Sequence, residues 1–380
     1  MAHVFIVNKL TFKYHLEYKF AGTGASDVST DFIFDASIQL KTQDEKRSIG
    51  MITDVSRIKI GDKILFFVTG ISKFYGIFEA ASEFFFDPND SANFLVNDLG
   101  KILTYRILLK PYIIYKKGIS EFDCLDSLKD VIYPDEICWS LIYRKLGGNR
   151  GCTMITNQEY NLLAKKLATN NEIVNGNNFS FDQYTNEIIP NNIDYKYTGR
   201  KIDIVNYLRT NMNNRYINKK AFEHYIQYFI VLLLKDKNYQ KVLTSNLPVT
   251  WIGNEVMCSF GEHRIDAFAI QEDDNQVEIS LIEMKDEKIT DLIKYQIEGY
   301  LKWLKDYIIP YYLRQNKSIT INPIIVSDGI PLSRNSTKIK LQNLETNVIN
   351  YEWTEYQSEN VKISKTKIIH FNDTNGNLII

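Results

Sequence analysis

Two apolar segments separated by a short polar stretch constrain the fold more than any other part of the sequence. Residues 264–270 read RIDAFAI, residues 271–276 are polar, and residues 277–285 read VEISLIEMK. Alternation of apolar and polar residues on both sides of a polar stretch predicts two strands joined by a turn. The first strand carries Asp266, and the second ends in Glu283 and Lys285. The pattern therefore predicts a hairpin with two carboxylates and a lysine.

The strand period indicates that these three charges share one face. If Gln271 pairs with Gln276 across the turn, Asp266 and Glu283 become diagonal neighbours, a placement that separates two residues by about 7–8 Å. Lys285 lies two residues beyond Glu283 and points to the same side. A register slip of one residue would move Asp266 to the opposite face.

The three charged residues of the hairpin have two interpretations: they form a metal site, or they are solvated surface residues. Glu283 and Lys285 continue the face that begins with Ile279 and Leu281, and a buried charge needs a partner or a metal. Two carboxylates supply the hard oxygen ligands that Mg²⁺ prefers. We therefore expect a divalent metal site of the kind that cleaves phosphodiesters.

Amphipathic helices are predicted on both sides of the hairpin. Residues 287–307 carry apolar side chains at three- and four-residue spacing, and Gln296 lies inside that stripe. Gln296 either faces a polar site or forms a core hydrogen bond. Residues 221–234 form a strongly apolar helix with Glu223 near its start. Glu223 is either a site residue or a first-turn acid that the helix dipole favours.

Asp266, the Glu283-Met284-Lys285 triplet and the later Gln296-x-x-x-Tyr300 resemble the core of the PD-(D/E)xK nuclease superfamily, in the arrangement of its RecB-like and NucS-like members. The resemblance covers roughly the last third to half of the chain. It implies a mixed sheet flanked by helices, with a metal-binding set for Mg²⁺, or Mn²⁺ in its place. The implied metal set is Asp266, Glu283 and Met284. In the same family, Lys285 would orient or activate the attacking water, Gln296 would support the site, and Glu223 would be the acid of the first helix.

Composition predicts two domains without a globally basic surface. The chain has 380 residues, 24% of them charged, and a net charge of −1, so a DNA-binding surface has to be a local patch. The four cysteines show no C-x-x-C spacing, which argues against a zinc site or a disulfide framework. No segment approaches about 20 consecutive apolar residues, so we expect a soluble, cytoplasmic protein without a membrane partner.

An asparagine-rich stretch divides the predicted domains. Asparagine favours turns over regular structure, so residues 171–214 are expected to be a linker that contains one small helix. The domains would then be residues 1–170 and 215–380. Strands are predicted in the first domain, at 4–7, 63–68, 74–80 and 105–114. A helix is predicted at 157–167, where Thr156 caps and Glu159 lies in the first turn.

The N-terminal domain resembles the EVE and YTH branch of the PUA-like fold. The resemblance rests on residues 4–9, 61–67, 74–80, 139–144 and 154–160, and the chain departs from it by lacking a tryptophan in the first strand. It implies a β-barrel with helices that captures a flipped, modified base between aromatic rings. The candidate base-binding residues are Trp139, Phe74, Tyr75 and Phe85. Each of these rings has an ordinary core role as its alternative.

The expected fold class is thus α/β and α+β, a PUA-like barrel followed by a PD-(D/E)xK mixed sheet. The expected function is a Mg²⁺-dependent DNA endonuclease that reads a modified base. Two alternatives stay open: a structure-specific repair nuclease of the NucS kind, and a non-catalytic nucleic-acid-binding protein. The expected partner is double-stranded DNA, and cleavage of both strands favours a homodimer.

Overall fold

The computed structural model describes residues 1–24, 42–89, 94–126, 133, 151–218, 222–236, 245–258, 263–285, 292–328, 360–364 and 366–371. The chain forms two compact units: the first holds residues 1–132 and 136–208, and the second holds residues 133–135 and 209–380. Each unit has its own β-sheet with helices, so the molecule is of mixed α/β type. In the described part of the chain, no helix has both the length and the apolar character needed to span a membrane.

The first unit is built around a curled eight-stranded sheet that forms a half-barrel. Its strands are β1 (Ala2–Val7), β2 (Phe20–Thr23), β3 (Lys63–Val68), β4 (Lys73–Ala80), β5 (Phe85–Phe86), β6 (Tyr105–Pro111), β7 (Ile119–Ser120) and β8 (Cys152–Ile155). The order is β2-β6-β4-β3-β1-β8, with β5 beside β6 and β7 beside β4. The strands predicted at 4–7, 63–68, 74–80 and 105–114 are therefore confirmed, with somewhat different ends.

Among the described residues, five helices and a small hairpin complete this unit. The helices are α1 (Lys9–Glu17), α2 (Thr42–Ser56), α3 (Phe94–Leu99), α4 (Glu121–Asp126) and α5 (Asn157–Ala168), and the hairpin is β9 (Phe179–Asp182) with β10 (Glu187–Pro190). The capping prediction for α5 is confirmed. The hydroxyl of Thr156 accepts a hydrogen bond from the backbone N–H of Glu159, whose carboxylate accepts one from the backbone N–H of Thr156.

Residues 171–208 belong to the first unit and are not a linker. This corrects the expectation of a linker over residues 171–214. The hairpin β9–β10 lies inside it and packs into the first unit, with Phe179, Phe181 and Ile188 buried. The Phe181 ring lies 4.9 Å from that of Phe12 in α1. The polar residues around these apolar positions form turns, because Asp182 accepts a backbone hydrogen bond from Tyr184. Burial of the apolar residues outweighs the turn preference of the asparagines.

One buried histidine makes the stability of the first unit depend on pH. His15 in α1 is completely buried beside the rings of Phe20 and Phe66. Burial, followed by the nearby Arg106 guanidinium, lowers the pKa of His15 to about 3. The folded state therefore takes up fewer protons than the unfolded state below the ordinary value of 6.5, and unfolding is favoured as the pH falls through that window.

We expect the free energy of unfolding to lose about 1.4 kcal/mol per pH unit through His15 as the pH falls below about 6.5. Urea unfolding at several pH values would measure this slope in the wild type and in His15→Phe, which cannot be protonated. The phenylalanine variant should show the shallower dependence between pH 6.5 and 4. Equal slopes for the two proteins would contradict a neutral buried imidazole.

The second unit contains a six-stranded mixed sheet. Its strands are β11 (Val249–Met257), β12 (Arg264–Glu272), β13 (Gln276–Lys285), β14 (Ser318–Asp328), β15 (Val361–Ile363) and β16 (Lys367–Phe371). The first three pair antiparallel, and β13, β14, β15 and β16 pair parallel. The helices are α6 (Val205–Asn218), which contains the division between the units, α7 (Phe222–Lys235), α8 (Leu292–Tyr307) and α9 (Ile309–Leu313). Helix α7 contacts β11, β12 and β13.

The hairpin β12–β13 forms as predicted, but its register differs by two residues. Gln271 pairs with Glu278 rather than with Gln276. The cause is the turn, in which the Asp273 carboxylate accepts hydrogen bonds from the backbone N–H groups of Asn275 and Gln276, both at 2.9 Å. A shift of two residues leaves every side chain on its original face because the strand period is two.

Candidate functional site

The corrected register brings the two predicted carboxylates side by side. Ala267 pairs with Ile282, so the next step of the same antiparallel register places Asp266 beside Glu283 rather than diagonal to it. The Asp266 carboxylate accepts a 2.7 Å hydrogen bond from the backbone N–H of Met284. The side chain of Asp266 is thereby fixed against β13 at the position where Glu283 projects.

Glu283 is held by two donors, one on its own strand and one on α8. Its side chain is only 3% exposed. One carboxylate oxygen lies 2.6 Å from the Lys285 ammonium, and the other accepts a 2.8 Å hydrogen bond from the hydroxyl of Tyr300. The same hydroxyl lies 2.8 Å from the backbone carbonyl of Arg264 on β12. Tyr300 therefore ties α8 to both carboxylate-bearing strands.

The acidity of these groups reflects their crowding. Burial, followed by the charges of Glu283 and Glu223, raises the pKa of Asp266 well above its ordinary value, although the Met284 N–H opposes the shift. Burial alone would lower the pKa of Lys285, but the adjacent Glu283 carboxylate outweighs it and raises the pKa. Burial and then Glu283 raise the pKa of Tyr300. The site thus concentrates more negative charge than its one lysine neutralises.

Helix α7 adds two side chains one turn apart. Glu223 lines a cleft with Asp266 and acts on its carboxylate electrostatically. Gln227 donates a 3.0 Å hydrogen bond from its amide to the backbone carbonyl of Asp266. The amide oxygen of Gln227 is buried and has no hydrogen-bond partner among the residues that the structure describes. An unpaired buried oxygen destabilises the folded state by roughly 1–3 kcal/mol, so a purely structural role does not explain a glutamine at this position.

The cleft in front of Asp266 has a volume of about 550 Å³. Its walls include Glu223, His224, Gln227, Glu255, Arg264 and Asp266. Glu255 on β11 lies level with Asp266, because Asn254 pairs with Ala267 and Val256 pairs with Ile265. An opening of this size that is lined by carboxylates and one arginine suits a small, charged group.

The donor set fits a hard divalent cation such as Mg²⁺. Asp266 and Glu283 are adjacent carboxylates, and a cation between them would offset the repulsion that raises the pKa of Asp266. In the described part of the chain, no group of three or more His, Cys, Asp and Glu side chains has a metal-binding arrangement. Two protein carboxylates are nevertheless a usual set for Mg²⁺, which keeps several water ligands.

Most of the predicted site residues of the second unit come together, but Gln296 does not join them. Asp266, Glu283, Lys285 and the Met284 backbone come together, and Glu223 faces them from α7. Gln296 is partly buried in α8 but makes no hydrogen bond to a described residue, whereas Tyr300, one turn later, bonds directly to Glu283. The sequence analysis did not identify Gln227 as a site residue.

The sequence does contain a feature that could have identified it: Gln227 is the single amide in an apolar helix and lies four residues after Glu223.

The aromatic candidates in the first unit are core residues where the structure describes them, which corrects their expected role. Phe74 is 1% exposed and lies 5.0 Å from the ring of Phe67. Tyr75 is fully buried, and its hydroxyl bonds to the backbone carbonyl of Asn186. Phe85 is 5% exposed. None of these three rings presents an open face for stacking, because each lies in the core. Trp139 lies outside the described residues.

No model of a known protein family matches the chain, and no curated protein matches it. The chemistry of the second unit is therefore inferred from the contacts of its own residues. Asp266 and Glu283 are adjacent, Lys285 contacts Glu283, and the cleft lies in front of Asp266. That combination can bind a cation and receive a phosphate.

Proposed function

We propose that the chain is a Mg²⁺-dependent phosphodiesterase that cleaves DNA, with Asp266 and Glu283 holding the metal. The observation that carries this proposal is the placement of the two carboxylates beside each other with the Lys285 ammonium 2.6 Å from one of them. The mixed sheet with α7 and α8 is consistent with a PD-(D/E)xK nuclease. Mn²⁺ would serve in place of Mg²⁺.

The residues of the site have distinct tasks in this proposal. A bound Mg²⁺ would polarise the scissile phosphate and lower the pKa of a bound water. Lys285 remains protonated at neutral pH, because Glu283 raises its pKa. It therefore acts as a cation toward the phosphate and orients the attacking water by donating hydrogen bonds. Tyr300 and the Met284 N–H hold the two carboxylates in place, and Glu223 is a further acid at the cleft.

For the first unit, we propose a role in recognising the DNA. Its curled sheet is consistent with a PUA-like reader of a modified base, and a dimer would place two sites on a duplex. The core positions of Phe74, Tyr75 and Phe85 remove three of the four candidate cage residues. That observation favours the alternative in which the first unit reads DNA structure, as in a NucS-like repair nuclease. A non-catalytic binding protein is the third candidate, and the intact set of Asp266, Glu283 and Lys285 argues against it.

Cleavage of methylated and unmethylated plasmid in Mg²⁺ separates these candidates. Preference for methylated DNA supports the base reader, preference for mismatched or branched duplexes supports the repair nuclease, and binding without cleavage supports the third. Divalent-free buffer should abolish cutting of every substrate.

Lys285→Ala is expected to reduce the cleavage rate by about 10²–10³-fold, because it removes one positioned charge from the transition state. Lys302→Ala is the matched control, since Lys302 is an exposed lysine on α8. Both variants should bind DNA. If Lys285→Ala cut DNA at the rate of the control, the catalytic role of Lys285 would be wrong.

A further inference from the structure

Among the residues that the structure describes, Arg264 is the only arginine that lines the cleft in front of Asp266, and its guanidinium pairs with an acid outside the proposed metal site. Its guanidinium lies 3.1 Å from the carboxylate of Glu255, and its side chain is 54% exposed. Glu255 is 18% exposed. A pair exposed to this extent contributes little to stability, so substrate can compete for its arginine.

The position of Arg264 relates it directly to Asp266. The two residues are separated by one position on β12, so their side chains share a face and lie about 7 Å apart along the strand. Arg264 pairs with Met257 on β11, and its backbone carbonyl lies 2.8 Å from the Tyr300 hydroxyl that donates to Glu283. The arginine is thus anchored at its backbone while its side chain reaches the cleft.

Glu255 has an unusual backbone for a glutamate. It lies at φ +47, in the left-handed region, which residues with a side chain seldom adopt. It is level with Asp266 and lines the same cleft. A strained acid that holds an exposed arginine beside a candidate catalytic centre indicates a functional constraint.

We propose that Arg264 binds a phosphate of the nucleic acid adjacent to the one cleaved, and that Glu255 holds this arginine until the substrate displaces it. The proposal rests on the proposed function. Glu223, Glu255 and Asp266 make the cleft acidic, so a polyanion needs a fixed cation in addition to the metal. The planar guanidinium suits this task because it binds phosphate through two parallel hydrogen bonds. The substrate class that follows is a polynucleotide with phosphates on both sides of the cut, rather than an isolated phosphodiester.

The test measures DNA affinity and its salt dependence with Ca²⁺ replacing Mg²⁺ to suppress cleavage. The probe is a fluorescein-labelled 20-base-pair duplex. Arg264→Gln should raise Kd about tenfold at low salt and reduce the slope of log Kd against log salt by about one. Arg264→Lys should keep the slope and lose part of the affinity. Glu255→Gln should strengthen binding, because it frees Arg264 and removes one negative charge.

Lys302→Gln is the control, since it removes an exposed cation of the same unit that does not line the cleft. In Mg²⁺, Arg264→Gln should raise KM with little change in kcat. Two results with the variants would overturn the inference: Arg264→Gln binding DNA like Lys302→Gln, or Glu255→Gln weakening binding as much as Arg264→Gln.

Failure of the proposed function has a different signature. It appears as a wild-type protein that does not cut DNA in Mg²⁺, whatever the binding results. The binding series does not depend on cleavage, so it tests in either case whether Arg264 binds a phosphate of the DNA. Wild-type protein that did not bind the duplex would overturn both.

Discussion

Asp266→Asn should abolish Mg²⁺-dependent cleavage and, in buffer without divalent cations, stabilise the protein. Activity should fall by at least about 10³-fold, because the substitution removes a carboxylate ligand from the metal. The free energy of unfolding should rise by about 0.5–2 kcal/mol, since the partial burial of Asp266, followed by the charges of Glu283 and Glu223, raises the pKa of its carboxyl. An asparagine oxygen can still accept the Met284 hydrogen bond.

The pH dependence of this stabilisation has a definite sign. The folded-state pKa of Asp266 is raised above its ordinary value of 3.8, so the folded protein takes up more protons than the unfolded chain. Wild-type stability is therefore lost as the pH rises from about 4 through the folded-state pKa. Asparagine does not titrate, so the difference between the two proteins should widen with pH across that window.

Thermal unfolding in EDTA and in Mg²⁺ measures both effects. Mg²⁺ should stabilise the wild type, because it binds the folded state, and should not stabilise Asp266→Asn. Asp274→Asn is the control, as Asp274 is an exposed acid in the turn of the same hairpin. An Asp266→Asn protein that is less stable than wild type in EDTA, or that still responds to Mg²⁺, would contradict a metal site at Asp266.

Asp87→Ala should destabilise the first unit by about 3–5 kcal/mol, because it leaves the buried Arg106 guanidinium without its counter-charge. Asp87 and Arg106 are 0% and 1% exposed, and the carboxylate and guanidinium lie 2.6 Å apart. The Tyr197 hydroxyl also donates to Asp87, and the Phe20 ring lies 4.7 Å from the guanidinium. Hydrogen exchange of the β6 amides would report the loss within this unit.

Asp194→Ala is the matched control, because its ion pair has the same distance between nitrogen and oxygen as the Asp87–Arg106 pair. Asp194 pairs with Lys19 at 2.6 Å, but these side chains are 63% and 28% exposed, and an exposed pair contributes little to stability. The double variant Asp87→Leu with Arg106→Met should recover much of the stability, because it removes both buried charges together. Equal losses in Asp87→Ala and Asp194→Ala would mean that burial does not set the strength of these pairs.

Local sequence determined the elements that carry the proposed site. The two-residue period placed Asp266, Glu283 and Lys285 on one face of the hairpin, and a two-residue error in register did not change that face. Thr156 and Glu159 likewise specified the start of α5, since a capping box involves only neighbouring residues. These features depend on backbone geometry within a few residues.

Tertiary packing decided which side chains meet. Tyr300 rather than Gln296 contacts Glu283, and Gln227 reaches the backbone of Asp266, because α8 and α7 pack on the sheet with particular rotations that no local pattern specifies. Burial likewise made Phe74 and Tyr75 core residues, although their strand was predicted correctly. Strand periodicity assigns a residue to a face, but only the elements packed against that face determine whether it is core or available to a ligand.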